Sequence, residues 1–140
     1  MNTDLETAKQ QLATGKYTCV LCRGDAIVTS QLRGVKPLLS WLEQGSILPG
    51  FSAADKVVGQ ATAYLYCLLG AKAVYAGVMS RSALKVLSAY EMDVSYGSLV
   101  EHIRNRDNTG MCPMEQATHD CHTPEEALAA IRETLKRLAT

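Results

Sequence analysis

The chain carries no net charge: fourteen basic residues offset fourteen acidic ones. No overall field therefore favours a nucleic-acid polymer or a membrane surface, and only local basic character could recruit an anion. No stretch approaches the roughly 20 apolar residues of a membrane span. The opening Met1-Asn2-Thr3-Asp4-Leu5-Glu6 lacks the basic start and apolar run of a signal peptide. Five cysteines without such a signal read as reduced thiols, which makes the cytoplasm the expected compartment. There is no internal repeat, low-complexity tract or interdomain linker. With so little net charge, self-association to a homodimer is weakly favoured.

What is present fits one globular domain over residues 1–140, with residues 1–15 as an N-terminal helical extension. The 47% apolar and 20% charged residues suffice for one substantial core. Thr3 to Leu12 predicts a helix, with Thr3 and Glu6 spaced as a capping box and Gly15 as the stop. Tyr17–Cys22 and Ala26–Thr29 are β-rich runs around Gly24-Asp25, a hairpin signal. Lys36 to Gln44 predicts a short helix capped by Gly45. After the connector Ile47–Phe51, a long helix is expected from Ala53 to about Leu69, apolar nearly all round in its second half.

The continuous apolar run Ala73–Met79 has the length and character of a central strand covered on both faces. Ser80 then caps a helix from Arg81 to Tyr90, and Val94–Tyr96 reads as a short strand. Asn105–Gly110 reads as a loop, and Pro113 opens a short helix. The last helix has Thr123 as cap, Pro124 in first position and Glu126 completing the box. Its expected buried stripe is Ala127, Leu128, Ile131, Leu135 and Leu138. A hairpin followed by helix–strand units implies an α/β fold: a mixed sheet between helical layers, a three-layer α/β/α sandwich.

In such sheets ligands gather beyond the carboxyl ends of strands, where helix N-termini converge. Three expected helix starts face that region. At the first, Ser52 and Asp55 are spaced as a capping box, which accounts for Asp55 as well as a functional role does. Lys56 beside it is locally unfavourable unless an anion shares the site. At the second, Ser80, Arg81 and Ser82 offer hydroxyls and a guanidinium to a phosphate or carboxylate, or form an ordinary serine cap. At the third, Cys112 precedes the Pro113 helix, where a helix dipole favours a thiolate and Glu115 opposes it.

Other signals point away from chemistry. Cys19 and Cys22 have C-x-x-C spacing but lie on an expected strand, where residues three apart face opposite sides. A chelate or disulfide between them would break that strand. His119, Cys121 and His122 match no zinc spacing, so no metal and no cofactor is expected. His102 stands alone. Tyr64, Tyr66, Tyr75, Tyr90 and Tyr96 sit at core-compatible spacings.

The run Ser52-Ala53-Ala54-Asp55-Lys56-Val57-Val58-Gly59, together with Cys112-Pro113-Met114-Glu115, resembles the DUF1893 family of uncharacterised prokaryotic proteins, over nearly all of Tyr17 to Leu138. The resemblance implies a cytidine deaminase-like fold. The Ala54–Gly59 run is also similar to one in the sulfurtransferase accessory proteins of formate dehydrogenase, whose pocket takes a guanine-nucleotide-like cofactor. Zinc deaminases use a His/Cys-x-Glu triplet at one helix start and Pro-Cys-x-x-Cys at the next. Here Ala53–Lys56 and Met79–Ala83 supply no histidine or cysteine. No metal would lower the pKa of an attacking water, so zinc-dependent deamination is not expected.

The main expectation is a ligand-binding domain for a nucleotide-like or other anionic small molecule. Lys56 and Arg81 would hold its negative group, Ser80 and Ser82 would assist, and Asp55 would accept from a base or ribose. One alternative is a thiol-dependent enzyme with Cys112 as nucleophile and Asp55 or His119 as proton carrier. Another is a structural or regulatory dimeric module.

Overall fold

The structure, a computed structural model, describes residues 3–32, 34–45, 49–103 and 112–138. Helix α1 (Thr3–Thr14) precedes the hairpin β1 (Cys19–Arg23) and β2 (Ala26–Ser30). Helix α2 (Lys36–Gln44) leads to β3 (Ser52–Val58), α3 (Gln60–Leu69) and β4 (Ala73–Ser80). Then follow α4 (Arg81–Ala89), β5 (Asp93–Val100), α5 (Pro113–Thr118) and α6 (Pro124–Leu138). The loop expected over Asn105–Gly110 lies outside the described residues, as do Ile47 and Leu48 of the connector.

The five strands form one mixed sheet in the order β2-β1-β3-β4-β5. β1 runs antiparallel to β2 and β3, whereas β3, β4 and β5 are parallel. Crossovers of fixed hand put α3 and α4 on the same face, where they pack against each other. That face carries the larger core, which draws on α2, α3, α4 and α6 and on β1, β3 and β4. On the other face, α1 packs over β1, β3 and β4 around Ala8, Val20, Cys22 and Ala54. Among the described residues, no helix is long and apolar enough to cross a membrane.

Most local expectations hold. Arg23 pairs with Ala26, leaving Gly24-Asp25 as the two-residue turn. Gly45 ends α2 in the left-handed region (φ 64°), donating its N–H to Trp41 O. The Ser80 hydroxyl caps α4 by accepting from Ala83 N at 3.1 Å, and the Thr123 hydroxyl accepts from Glu126 N at 3.1 Å. Cys19 belongs to the larger core and Cys22 to the smaller, as opposite faces of a strand require. Helix α3 is buried almost all round, from Gln60 through Tyr66 and at Leu69. Full burial of a side chain such as Leu65 contributes about 1.5–3 kcal/mol.

One reading is overturned. Ser52–Val58 is a strand, not the first turns of a long helix. Its backbone pairs with β1 on one side and β4 on the other, and α3 starts only after Gly59. Two ladders satisfy its N–H and C=O groups, so the Ser52–Asp55 spacing caps nothing. Smaller corrections concern β5, which runs from Asp93 to Val100 instead of three residues, and Leu138, which is exposed. Tyr64 and Tyr66 are core residues, but Tyr90 and Tyr96 are exposed. They sit at the C-cap of α4 and on the edge strand β5, where the sheet gives no second neighbour.

Candidate functional site

Strand direction changes at β3, which is antiparallel to β1 and parallel to β4. A crevice forms beyond the carboxyl end of a strand at such a switch point. Here a cavity of about 400 Å³ opens there, lined by Asp55, Lys56, Gly59, Thr62, Cys112 and Glu115 among others.

Asp55 enters the cavity from β3, nearly buried at 7% exposure. It stands opposite Cys19 in the β1–β3 ladder, and the Tyr66 hydroxyl of α3 donates to its Oδ2 at 2.8 Å. Tyr66 Oη lies 3.0 Å from Cys19 Sγ. Since the phenolic proton points to Asp55, the Tyr66 oxygen is left to accept from the thiol. Burial pushes the Asp55 pKa up to about 7, while hydrogen bonds from the Tyr66 hydroxyl and the Val57 N–H pull it back. Burial, and then the neighbouring Asp55 charge, hold Tyr66 and Cys19 well above their ordinary values. The carboxyl is therefore the group of this trio that changes charge near neutrality.

Glu115 closes the cavity from α5 and is 4% exposed. Its Oε1 accepts the Gln60 N–H at 2.5 Å, satisfying a free donor in the first turn of α3. The Gln60 side chain in turn donates Nε2–H to Thr118 O at 2.5 Å. Gly59 makes this contact possible, because a Cβ there would overlap the Glu115 carboxylate. Burial raises the Glu115 pKa, opposed by the Gln60 N–H, by His102, by Ser82 and by His119.

The expected site residues separate. Asp55, Lys56 and Cys112 line the same cavity. Lys56 is exposed on β3, not at a helix N-terminus, and also borders an open groove beside α1. Arg81 points elsewhere: its Nε pairs with Glu101 Oε1 at 2.6 Å on the surface. The Ser80 hydroxyl is fully buried and committed to the cap, with Ser82 Oγ at 3.1 Å. Lys56 and Arg81 thus do not meet across one crevice. His119 does not line the Asp55 cavity but a second one, on the far side of Glu115, with Ser82, His102 and His122. Among the described residues, no group of three His, Cys, Asp or Glu side chains could hold a metal ion.

Sequence reasoning missed three participants. Glu115 was weighed only against Cys112, although it caps a helix fifty-five positions away. Tyr66 reads from its spacing as a packing residue and Cys19 only as half of a C-x-x-C pair, yet both stand beside Asp55. A signal for Gly59 was available in Val57-Val58-Gly59, a β-branched pair and a glycine that fit a strand end better than a helix interior.

No curated protein matches the chain. Its fold is similar to the crystal structure of the DUF1893 family protein TM1506 from Thermotoga maritima. The TM-score is 0.86 and the identity 25%, over 95% of this chain and 91% of that one. The family profile described as a domain of unknown function, DUF1893, matches residues 7–135. That match spans both elements that build the cavity, β3 and α5, and the chain belongs to the DUF1893 family.

Proposed function

We propose that this chain binds a nucleotide-like or other anionic small molecule in the crevice at the carboxyl end of β3. The observation that carries the reading is the pairing of Asp55 and Lys56 at one cavity of about 400 Å³, within the range of small-molecule pockets. Asp55 is a buried carboxyl that changes charge near pH 7. It can accept from a base or ribose when ionised and donates a hydrogen bond when protonated, so an anion nearby is tolerated. Lys56 is exposed and engages the negative group. Arg81, tied to Glu101, has no part in this arrangement.

The deaminase-like scaffold that the Ser52–Gly59 resemblance implies would put a ligand in the same place, while the residues argue against zinc chemistry there. The true start of α3 reads Gly59-Gln60-Ala61-Thr62, which supplies no metal-binding imidazole or thiolate. Titration with a panel of nucleosides and nucleotides, followed by calorimetry, tests the reading. Asp55→Asn and Lys56→Ala should each weaken a detected complex about tenfold, the value of one charge-assisted contact. A complex indifferent to both variants would place the ligand elsewhere.

A second reading is favoured by one fact: Cys112 shares the cavity with Asp55. In a thiol-dependent enzyme the Cys112 proton would pass to Asp55 as the sulfur adds to a carbonyl carbon of the ligand, whose C=O π pair moves onto oxygen. Alkylation rate against pH decides it. A Cys112 that reacts no faster than a free thiol near neutrality ends this reading.

A further inference from the structure

Glu115 is a partition: the Asp55 crevice lies on one side of it and a second cavity of about 390 Å³ on the other. All three histidines of the chain, His102, His119 and His122, line this second cavity together with Lys85. They come from separate places: Lys85 from α4, His102 from beyond β5, and His119 and His122 from the turn between α5 and α6. Tyr64 holds that turn in place by donating its hydroxyl to Cys121 O at 2.8 Å. Nothing in the sequence brings these cationic groups together; the fold does.

The charges facing the cavity are unequal. Lys85 and three imidazoles stand against one lining carboxylate, Glu115, whose Oε1 already accepts from Gln60 N. Tyr64, Tyr90 and Cys121 also line it, and burial raises the Tyr64 and Cys121 pKa. Glu126 acts on both of those groups from α6, and Asp120 acts on Cys121. Neither acidic side chain is part of the lining. Ser82 and Gln60 add neutral donors. The cavity therefore sets the Lys85 ammonium and three imidazoles, beside the apolar Val86 and Ala89, against a single lining carboxylate.

We propose that this second cavity binds a phosphate-type dianion, gripped by Lys85 and the three histidines, at a site separate from the Asp55 crevice. The dianion is either free phosphate or the terminal phosphomonoester of a larger molecule. The Lys85 ammonium contributes a charge-assisted hydrogen bond, the imidazole N–H groups donate beside it, and the cavity has room for more than the phosphoryl group alone.

Titration of the full chain with inorganic phosphate and, separately, with phenyl phosphate tests this, read from the histidine ring resonances by NMR. The expected result is saturable shifts of all three rings. Lys85→Ala, an exposed position, should weaken binding about tenfold, and Asp55→Asn should leave it unchanged. Preference for phenyl phosphate assigns the pocket to a monoester, and preference for inorganic phosphate assigns it to the free ion. Shifts no larger than those from sodium chloride of equal ionic strength overturn the proposal. So does indifference to Lys85→Ala. Loss of binding in Asp55→Asn would move the anion to the first crevice and leave this cavity without a ligand.

Discussion

Tyr66 donates its hydroxyl proton to Asp55 Oδ2 at 2.8 Å, from a side chain fully buried behind the crevice that Asp55 lines. The bond joins α3 to the strand beside it and fixes the orientation of a carboxyl whose pKa burial pushes up to about 7.

Asp55 ionises near 3.8 in an unfolded chain and near 7 in the fold. The native state therefore holds the proton more tightly. The stability this brings is whole below the lower value and is lost as pH rises through the upper one. Asp55→Asn, which cannot ionise, should gain on the wild type between about pH 4 and pH 8, by on the order of a few kcal/mol. Urea unfolding of both proteins across that range measures the gap. A constant difference would show that the carboxyl does not change ionisation on folding.

Tyr66→Phe removes the donor and leaves a buried carboxyl short of a partner. A loss of about 1–3 kcal/mol is expected, larger above neutral pH, where Asp55 is ionised. Because the Tyr66 bond lowers the Asp55 pKa, the variant should also titrate at higher pH. Carboxyl chemical shifts followed by NMR report that displacement directly.

Gly59 and Glu115 should behave as one unit. Gly59→Ala forces the Glu115 carboxylate away from Gln60 N and should cost about 1–3 kcal/mol, although the Gly59 backbone (φ −99°) suits any residue. Glu115→Ala loses the same hydrogen bond and empties the space that a Cβ needs. In that background Gly59→Ala should cost far less, a coupling of about 1 kcal/mol or more in a double-mutant cycle. Additive losses would mean that the carboxylate can relocate.

Ser95 Oγ is buried on β5 without a hydrogen-bond partner. Ser95→Ala should therefore cost nothing or stabilise by up to about 1 kcal/mol, since an unsatisfied hydroxyl is removed from the interior. Thermal unfolding of the pair would show it, and a marked fall in Tm would point to a partner for this hydroxyl.

The thiols should divide by access. Cys19 and Cys22 are buried on opposite faces of β1, and burial lifts the Cys67 pKa to about 12. Under native conditions these three should resist iodoacetamide while Cys112, at the crevice, is modified first. Mass mapping of partially labelled protein checks the order.

Local rules carried much of the fold. Caps at Ser80, Thr123 and Gly45, the Gly24-Asp25 turn and the apolar run of β4 each rest on a few adjacent residues, and all stand. The failure at Ser52–Val58 has a definite cause. Ala53 and Ala54 are good helix formers, but here they are strand residues packed on both faces, Ala53 in the larger core and Ala54 beneath α1. Small side chains suit that crowding, and tertiary packing overrode propensity. The site was legible in part. Asp55, Lys56 and Cys112 were named, but their company was not. Glu115 with Gln60, and Tyr66 with Asp55, are meetings of distant segments that spacing along a chain does not encode.

On one side of the sheet the cover is a single helix. Ala8 of α1 sits over Val20, Cys22 and Ala54, and among the described residues no second helix packs on this contact. Should that helix detach, a strip of bare apolar strands would face other molecules in the solution. Such a surface invites clumping more than unfolding, because the opposite core would remain intact. The amino-terminal segment is thus the molecule's guard against its own stickiness.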